Sequence, residues 1–179
     1  MPHIPTARLA EFQQAFDQLG FSTDQCNPAS SIVACRGLPG CGASFTATQI
    51  DATSIIQHLA KTTQLDRPIN IHVSGCGKGC AQPYGSDIAL MGTALGYDVY
   101  LRDGNAIFGR LLVAAIAPDQ LLEVIVKVVL RYQRSREPDE AFSHFTQRYG
   151  IEQLQKNFRV GCGLALDEIS NAGLHTGRQ

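Results

Sequence analysis

The chain has 179 residues, 44% hydrophobic and 17% charged, with 15 basic and 16 acidic side chains that leave a formal net charge of −1. This is one domain's worth of sequence with ample material for a core, which excludes an intrinsically disordered chain. The balanced charge, with no Lys/Arg cluster, excludes a nucleic-acid surface, and no apolar run reaches the roughly 20 residues that a membrane-spanning helix needs.

Elements follow in order. Thr6 is a cap for a first helix with apolar positions Leu9, Phe12, Phe16 and Leu19, ended by Gly20. Gln25 to Ser31 is polar and reads as a loop, and Ser31 to Ala34 as a short strand that delivers Cys35. Three glycines and Pro39 keep Arg36 to Ala43 irregular. A second helix is expected from Ala47 to Thr62, burying Ile50, Ile55, Ile56 and Leu59. Pro68 then introduces an alternating strand, Ile69 to Ser74, which runs into a glycine-rich loop carrying Cys76 and Cys80.

Strands are expected near Asp87 to Met91, Asp98 to Arg102 and Leu111 to Ile116, with Asp103-Gly104 as a turn. Pro118 opens a long helix to about Arg134, with Leu121, Leu122, Ile125, Val128, Val129 and Tyr132 inward. Pro138 opens another with Phe142 and Phe145 inward, and a short helix covers Glu152 to Phe158. The order α, βαβ, strands, helices predicts an α/β (α+β) domain over residues 1–158, a mixed sheet flanked by helices. Residues 159–179 form a tail with little pattern beyond an apolar segment at Leu164 to Ile169.

MPHIPTARLAEFQQAF has no charged-then-apolar layout of a signal peptide, so a cytoplasmic location is expected. Thiols stay reduced there, and six cysteines then suggest metal or redox chemistry before disulfides. Four of them, spaced Cys35-x5-Cys41 and Cys76-x3-Cys80, sit in loops directly after expected strands. If those strands are neighbours, both loops leave the same end of the sheet and four thiolates converge there. A 4Fe–4S cube needs one thiolate per iron and backbone N–H donors for its sulfurs, and Gly37, Gly40, Gly42, Gly75, Gly77 and Gly79 let the backbone fold closely around it. A structural zinc site and a set of incidental buried thiols are the competing readings, although the x5 pair is wide for zinc. Cys26 and Cys162 have no partner at motif spacing and read as structural. His72 alternates with Ile71 and Val73 and reads as structural or exposed rather than as a ligand.

The segments C-R-G-L-P-G-C and H-V-S-G-C-G-K-G-C-A-Q-P resemble the cluster signature of the nitrite and sulfite reductase superfamily, and D-I-A-L-M-G and G-Y-D-V-Y-L-R-D-G are similar to the strands after it. The resemblance runs from Ser31 to Tyr149 and implies a 4Fe–4S cluster on Cys35, Cys41, Cys76 and Cys80. Within the superfamily, S-G-C-G-K-G-C-A most resembles precorrin-3B synthase, with Lys78 where reductases more often carry Asn. That implies O2-dependent oxidation of precorrin-3A in cobalamin biosynthesis, using the cluster with a mononuclear non-haem iron. The alternatives are half of a sirohaem-dependent nitrite or sulfite reductase, with Cys80 bridging cluster and tetrapyrrole iron, or a non-catalytic electron-transfer module. Either enzyme reading implies a tetrapyrrole substrate or cofactor and an electron donor such as ferredoxin. Superfamily members are much longer and built from two similar halves, so a missing N-terminal half or partner chain is also expected. Arg36 and Lys78, inside the ligand loops, either raise a cluster's potential or are ordinary solvated charges.

Overall fold

In the computed structural model, which describes residues 3–104, 108–156 and 158, the alternating segments of the middle of the chain assemble into one five-stranded mixed sheet. The strands are β1 (Ile32–Ala34), β2 (Ile71–Ser74), β3 (Ile88–Thr93), β4 (Gly96–Leu101) and β5 (Arg110–Ile116), and they lie side by side in chain order. β1, β2 and β3 run parallel, whereas β3–β4 and β4–β5 are antiparallel. Parallel neighbours need a crossover. Between β1 and β2 it contains a helix, and between β2 and β3 it is the second cysteine loop itself.

The helices are α1 (Leu9–Gln18), α2 (Pro28–Ser31), α3 (Thr48–Thr62), α4 (Pro118–Ser135), α5 (Phe142–Tyr149) and α6 (Ile151–Lys156). α3 and α4 pack on one face of the sheet and on each other. Ala52, Ile55 and Leu59 of α3 and Leu121, Ile125, Val128, Val129 and Tyr132 of α4 meet Ile71, Val73, Ile88, Leu90, Tyr97, Val99 and Leu101 from the strands. Tyr132, Phe142, Phe145 and Tyr149 form an aromatic cluster, with ring centroids 5.2–5.4 Å apart along its adjacent pairs. In β4 and β5 the register shifts around Tyr97 to Tyr100, and Ala115 takes a φ of 56°. The Asp98 carboxylate accepts a hydrogen bond from Ala115 N at 2.9 Å and so holds this irregularity in place.

Several elements depart from the sequence reading. Gln25 to Ser31 is not all loop: Asn27 accepts a hydrogen bond from Ala29 N at 2.9 Å, Pro28 takes the first helical position, and α2 forms. Thr6 starts a 3-10 turn, Thr6–Arg8, and makes no side-chain cap. α1 buries none of its residues; Phe12 and Phe16 stack at 4.4 Å, and Phe21 joins them. Ile50 is 65% exposed, because α3 turns the face carrying Ile55 and Leu59 to the sheet, and Ile56 is only half-buried. Pro138 does not open α5. The segment before α5 is a turn closed by the Tyr132 hydroxyl, which donates to Glu140 O at 2.6 Å, and by Arg148 on the Glu140 carboxylate. The arginine holds that carboxyl below its ordinary pKa. Cys162, the segment Leu164 to Ile169 and the tail 159–179 lie outside the described residues.

Phe145 is fully buried at the centre of the aromatic cluster. Phe145→Ala is expected to cost about 3–5 kcal/mol in a urea titration, whereas Ile50→Ala, on the solvent side of α3, shifts stability by less than about 1 kcal/mol.

Candidate metal centre

Cys35 directly follows β1, and its N–H donates to Val73 O at 3.0 Å, extending the β1–β2 ladder by one residue. Cys76 follows Ser74, the last residue of β2, by two positions. Since the two strands are adjacent and parallel, both cysteine loops leave the same end of the sheet, as expected. β3 and β5 end there too, and α3 begins there.

The loops are stitched together through the peptide of Gly75. Its N–H donates to Cys35 Sγ at 3.2 Å, and its carbonyl accepts from Phe45 N at 2.7 Å. The Ser44 hydroxyl donates to Thr46 O at 2.9 Å and reaches Gly75 O at 3.3 Å. Ser44 N in turn donates to Cys41 O at 3.1 Å, which ties the second cysteine of the first loop into the same junction. There is no room for a side chain here: a Cβ on Gly75 would stand 1.9 Å from Ser44 Oγ.

The second loop curls back on its own strand. Gly79 N donates to Cys76 O at 3.3 Å, Gln82 N to Gly79 O at 2.9 Å, and Ala81 N to the buried Ser74 hydroxyl at 3.3 Å. His72 lies across β2 from Ile71 and Val73, and its Nδ1 is 2.9 Å from Gln82 O. A carbonyl can only accept, so Nδ1 carries the hydrogen. His72 is a brace for the cysteine loop, in keeping with its structural reading. Asp87, at the end of this loop, accepts from Asn70 N at 2.9 Å, and burial pushes its carboxyl up against the opposing pull of those hydrogen bonds and of Arg102.

Cys35, Cys41 and Cys76 are half-buried and Cys80 is exposed; all four are free thiols, as is Cys26 far from the junction in sequence. The two loops converge at this end of the sheet through the Gly75 peptide. Among the described residues, no three His, Cys, Asp or Glu side chains are gathered closely enough to hold a single metal ion. A cube of four irons takes one sulfur at each corner, so its ligands stand apart by necessity, whereas tetrahedral zinc draws four ligands onto one ion. Cys35, a free thiol with the Gly75 N–H aimed at its sulfur, fits the former requirement at one corner. Arg36 and Lys78 are both exposed. Lys78 lines an open cavity of about 460 Å³ beside the second loop, with Tyr84, Met91, Asp98, Tyr100 and Phe108 among its other walls.

Residues 29–163 match the family model described as the nitrite and sulphite reductase 4Fe-4S domain. The chain belongs to that family. It is 29% identical over 155 residues to the sulfite reductase [NADPH] hemoprotein beta-component of Chromohalobacter salexigens, covering 83% of this chain and 27% of that one. With the protein of the same description from Afipia carboxidovorans it shares 34% over 125 residues, covering 66% and 22%. The structure of the Mycobacterium tuberculosis NirA protein superposes with a TM-score of 0.67 at 27% identity, over 84% of this chain and 31% of that one. Dissimilatory sulfite reductase I shares the fold, with a TM-score of 0.65 at 15% identity, over 84% and 57%. The chain thus spans between 22% and 27% of the length of these two curated relatives. The narrower expectation of a precorrin-3B synthase finds no support in these matches, and the sulfite reductase alternative fits them better.

Ser44, Thr46 and Thr48, the buried polar residues that link the two cysteine loops, do not stand out in the sequence. Only one signal was available, a Ser/Thr-rich stretch just before a helix. Gly75→Ala is expected to lower stability by about 1–3 kcal/mol, since it must displace Ser44 from its hydrogen bonds. Gly77→Ala, where a Cβ would meet nothing within 4 Å, leaves the thermal midpoint nearly unchanged.

Proposed function

We propose that this chain is the cluster-bearing part of a sirohaem-dependent sulfite or nitrite reductase-type oxidoreductase, with Cys35, Cys41, Cys76 and Cys80 as the ligands of a 4Fe–4S cluster. The observation that carries this reading is the junction at Gly75, which holds two cysteine loops together at one end of adjacent parallel strands. Such a cluster, when bound, takes up and passes on single electrons. Gly75 N–H offers a donor to the Cys35 sulfur, and hydrogen bonds of this kind stabilise the more negative, reduced charge state. Half-burial of three of the cysteines restricts water around their sulfurs.

Cys80 is the most open of the four and stands next to the loop residues Gly77, Lys78 and Gly79 that form one wall of the cavity. This exposure supports Cys80 as the thiolate shared with a tetrapyrrole iron. Tyr84, Tyr100 and Phe108 give the cavity flat apolar surfaces, and Lys78 gives it a cation for a ring carboxylate. The remaining tetrapyrrole contacts and the site for the reducible anion belong to a further polypeptide segment, and a donor such as ferredoxin supplies the electrons.

Anaerobic reconstitution of the purified chain with iron and sulfide tests the reading. About four irons per chain and broad absorption in the blue region are expected, and added sirohaem should develop sharp Soret-type bands. Cys35→Ser, Cys41→Ser and Cys76→Ser should each lose most of the bound iron, and Cys80→Ser should lose the sirohaem response as well. Cys26→Ser should keep both. A colourless protein with one zinc, or normal iron content in all four Ser variants, would sink the assignment.

A further inference from the structure

The hydroxyl of Thr48 lies where the two cysteine loops touch, though the residue is no part of either. Thr48 is the first residue of α3 and is completely buried. Its Oγ1 donates to Cys35 O at 2.8 Å, thirteen residues back in the chain, and stands 3.8 Å from Cys35 Sγ. A Cβ on Gly37 would stand 2.2 Å from that same oxygen, and one on Gly75 would stand 3.2 Å from the Thr48 methyl. One side chain therefore fills the gap between Cys35, the turn at Gly37 and the Gly75 peptide. Gly37 has a φ of 59°, a left-handed conformation that brings its backbone up against Thr48. The α3 end bearing Thr48 is anchored in turn: buried Tyr97 of β4 donates to Asp51, one turn along, at 2.6 Å. Burial and this carboxylate push the Tyr97 hydroxyl far above its ordinary pKa, so it remains a donor.

We infer that Thr48 is a positioning residue for the Cys35 sulfur, fixing its orientation toward the Gly75 N–H; this rests on the cluster reading above. The Thr48 hydroxyl holds the Cys35 carbonyl, and so the peptide plane that follows the cysteine. Without that bond the plane is free to turn, and the angle between Cys35 Sγ and the Gly75 N–H changes with it. Partners that orient metal ligands in this way are worth about 10–100-fold in metal affinity, and hydrogen bonding at the sulfur sets the reduction potential.

The test compares Thr48→Ser, Thr48→Ala and the isosteric Thr48→Val in the anaerobically reconstituted full chain. Three readouts are taken: iron retention against a chelator, the midpoint potential, and the EPR spectrum of the reduced cluster. Ser and Ala both lack the methyl and differ only in the hydroxyl, so their comparison isolates the hydroxyl even if the Val variant fails to fold. Thr48→Ala is expected to give up iron about 10–100-fold more readily than wild type, with a shifted potential and an altered spectrum. Thr48→Ser should match wild type. Ser and Ala variants that agree in potential and spectrum would overturn the inference, as would a Ser variant that loses iron like the Ala variant. Wild-type protein that takes up no cluster removes the functional reading and this one together; wild type that does, beside indistinguishable variants, removes only this one.

Discussion

The peptide of Gly75 sits at the one place where this fold has to satisfy two demands at once. As the first residue beyond β2 it must continue out of a buried strand, and as the contact between two loops it must present both of its polar groups to the neighbouring segment. Its N–H turns to Cys35 Sγ and its carbonyl to Phe45 N and Ser44 Oγ. A buried peptide with unmet polar groups costs about 1–3 kcal/mol for each one, so the pairing is a condition for the loops to pack at all. Everything nearby is arranged to allow it. β3 carries Gly92 where a side chain would run into Gly75 O, and the Ser44 hydroxyl lies where a Cβ on Gly75 would go.

The core sits behind this end of the sheet and has a different character. α3 and α4 cover a single face with aliphatic side chains, and the aromatic cluster around Phe145 closes the far side. That division explains how the cysteine end can be built from glycine, serine and threonine without loss of overall stability. Burial of the apolar face supports the sheet, and the polar junction has only to arrange the loops upon it. Two ion pairs, Arg136 with Asp66 and Arg148 with Glu140, join the ends of α4 and α5 to neighbouring segments, with the Arg136 and Glu140 side chains largely covered.

Much of this arrangement was legible in the sequence because it depends on short-range regularities. Alternation placed β2, the run Leu121 to Tyr132 placed the buried face of α4, and glycines beside the cysteines marked both loops. Parallel neighbours with a helical crossover follow from the βαβ order, and the shared end of the sheet follows from that. What could not be read depends on tertiary contact. Nothing in the periodicity of α3 says that Ile50 faces solvent while Thr48 is buried, since both fall within its first turn. Asn27 as a cap for α2 is a single-residue signal in a segment that otherwise reads as polar loop. At the site, spacing alone could bring the loops together but could not show the Ser44 and Thr48 hydrogen bonds that join them. α1 follows its periodicity as a helix and yet buries none of its own residues.

The route from β2 to β3 has a dynamic consequence. Two parallel strands in the middle of the sheet are joined by the cysteine loop rather than by a surface helix, and His72 and Ser74 of β2 fasten that loop to its own strand. Segments of irregular structure usually open independently of the scaffold that carries them. Here, freeing residues 75–87 means releasing the central strands as well. Their amide protons should therefore exchange with solvent on the timescale of the sheet, so that a loop in shape behaves as core in motion.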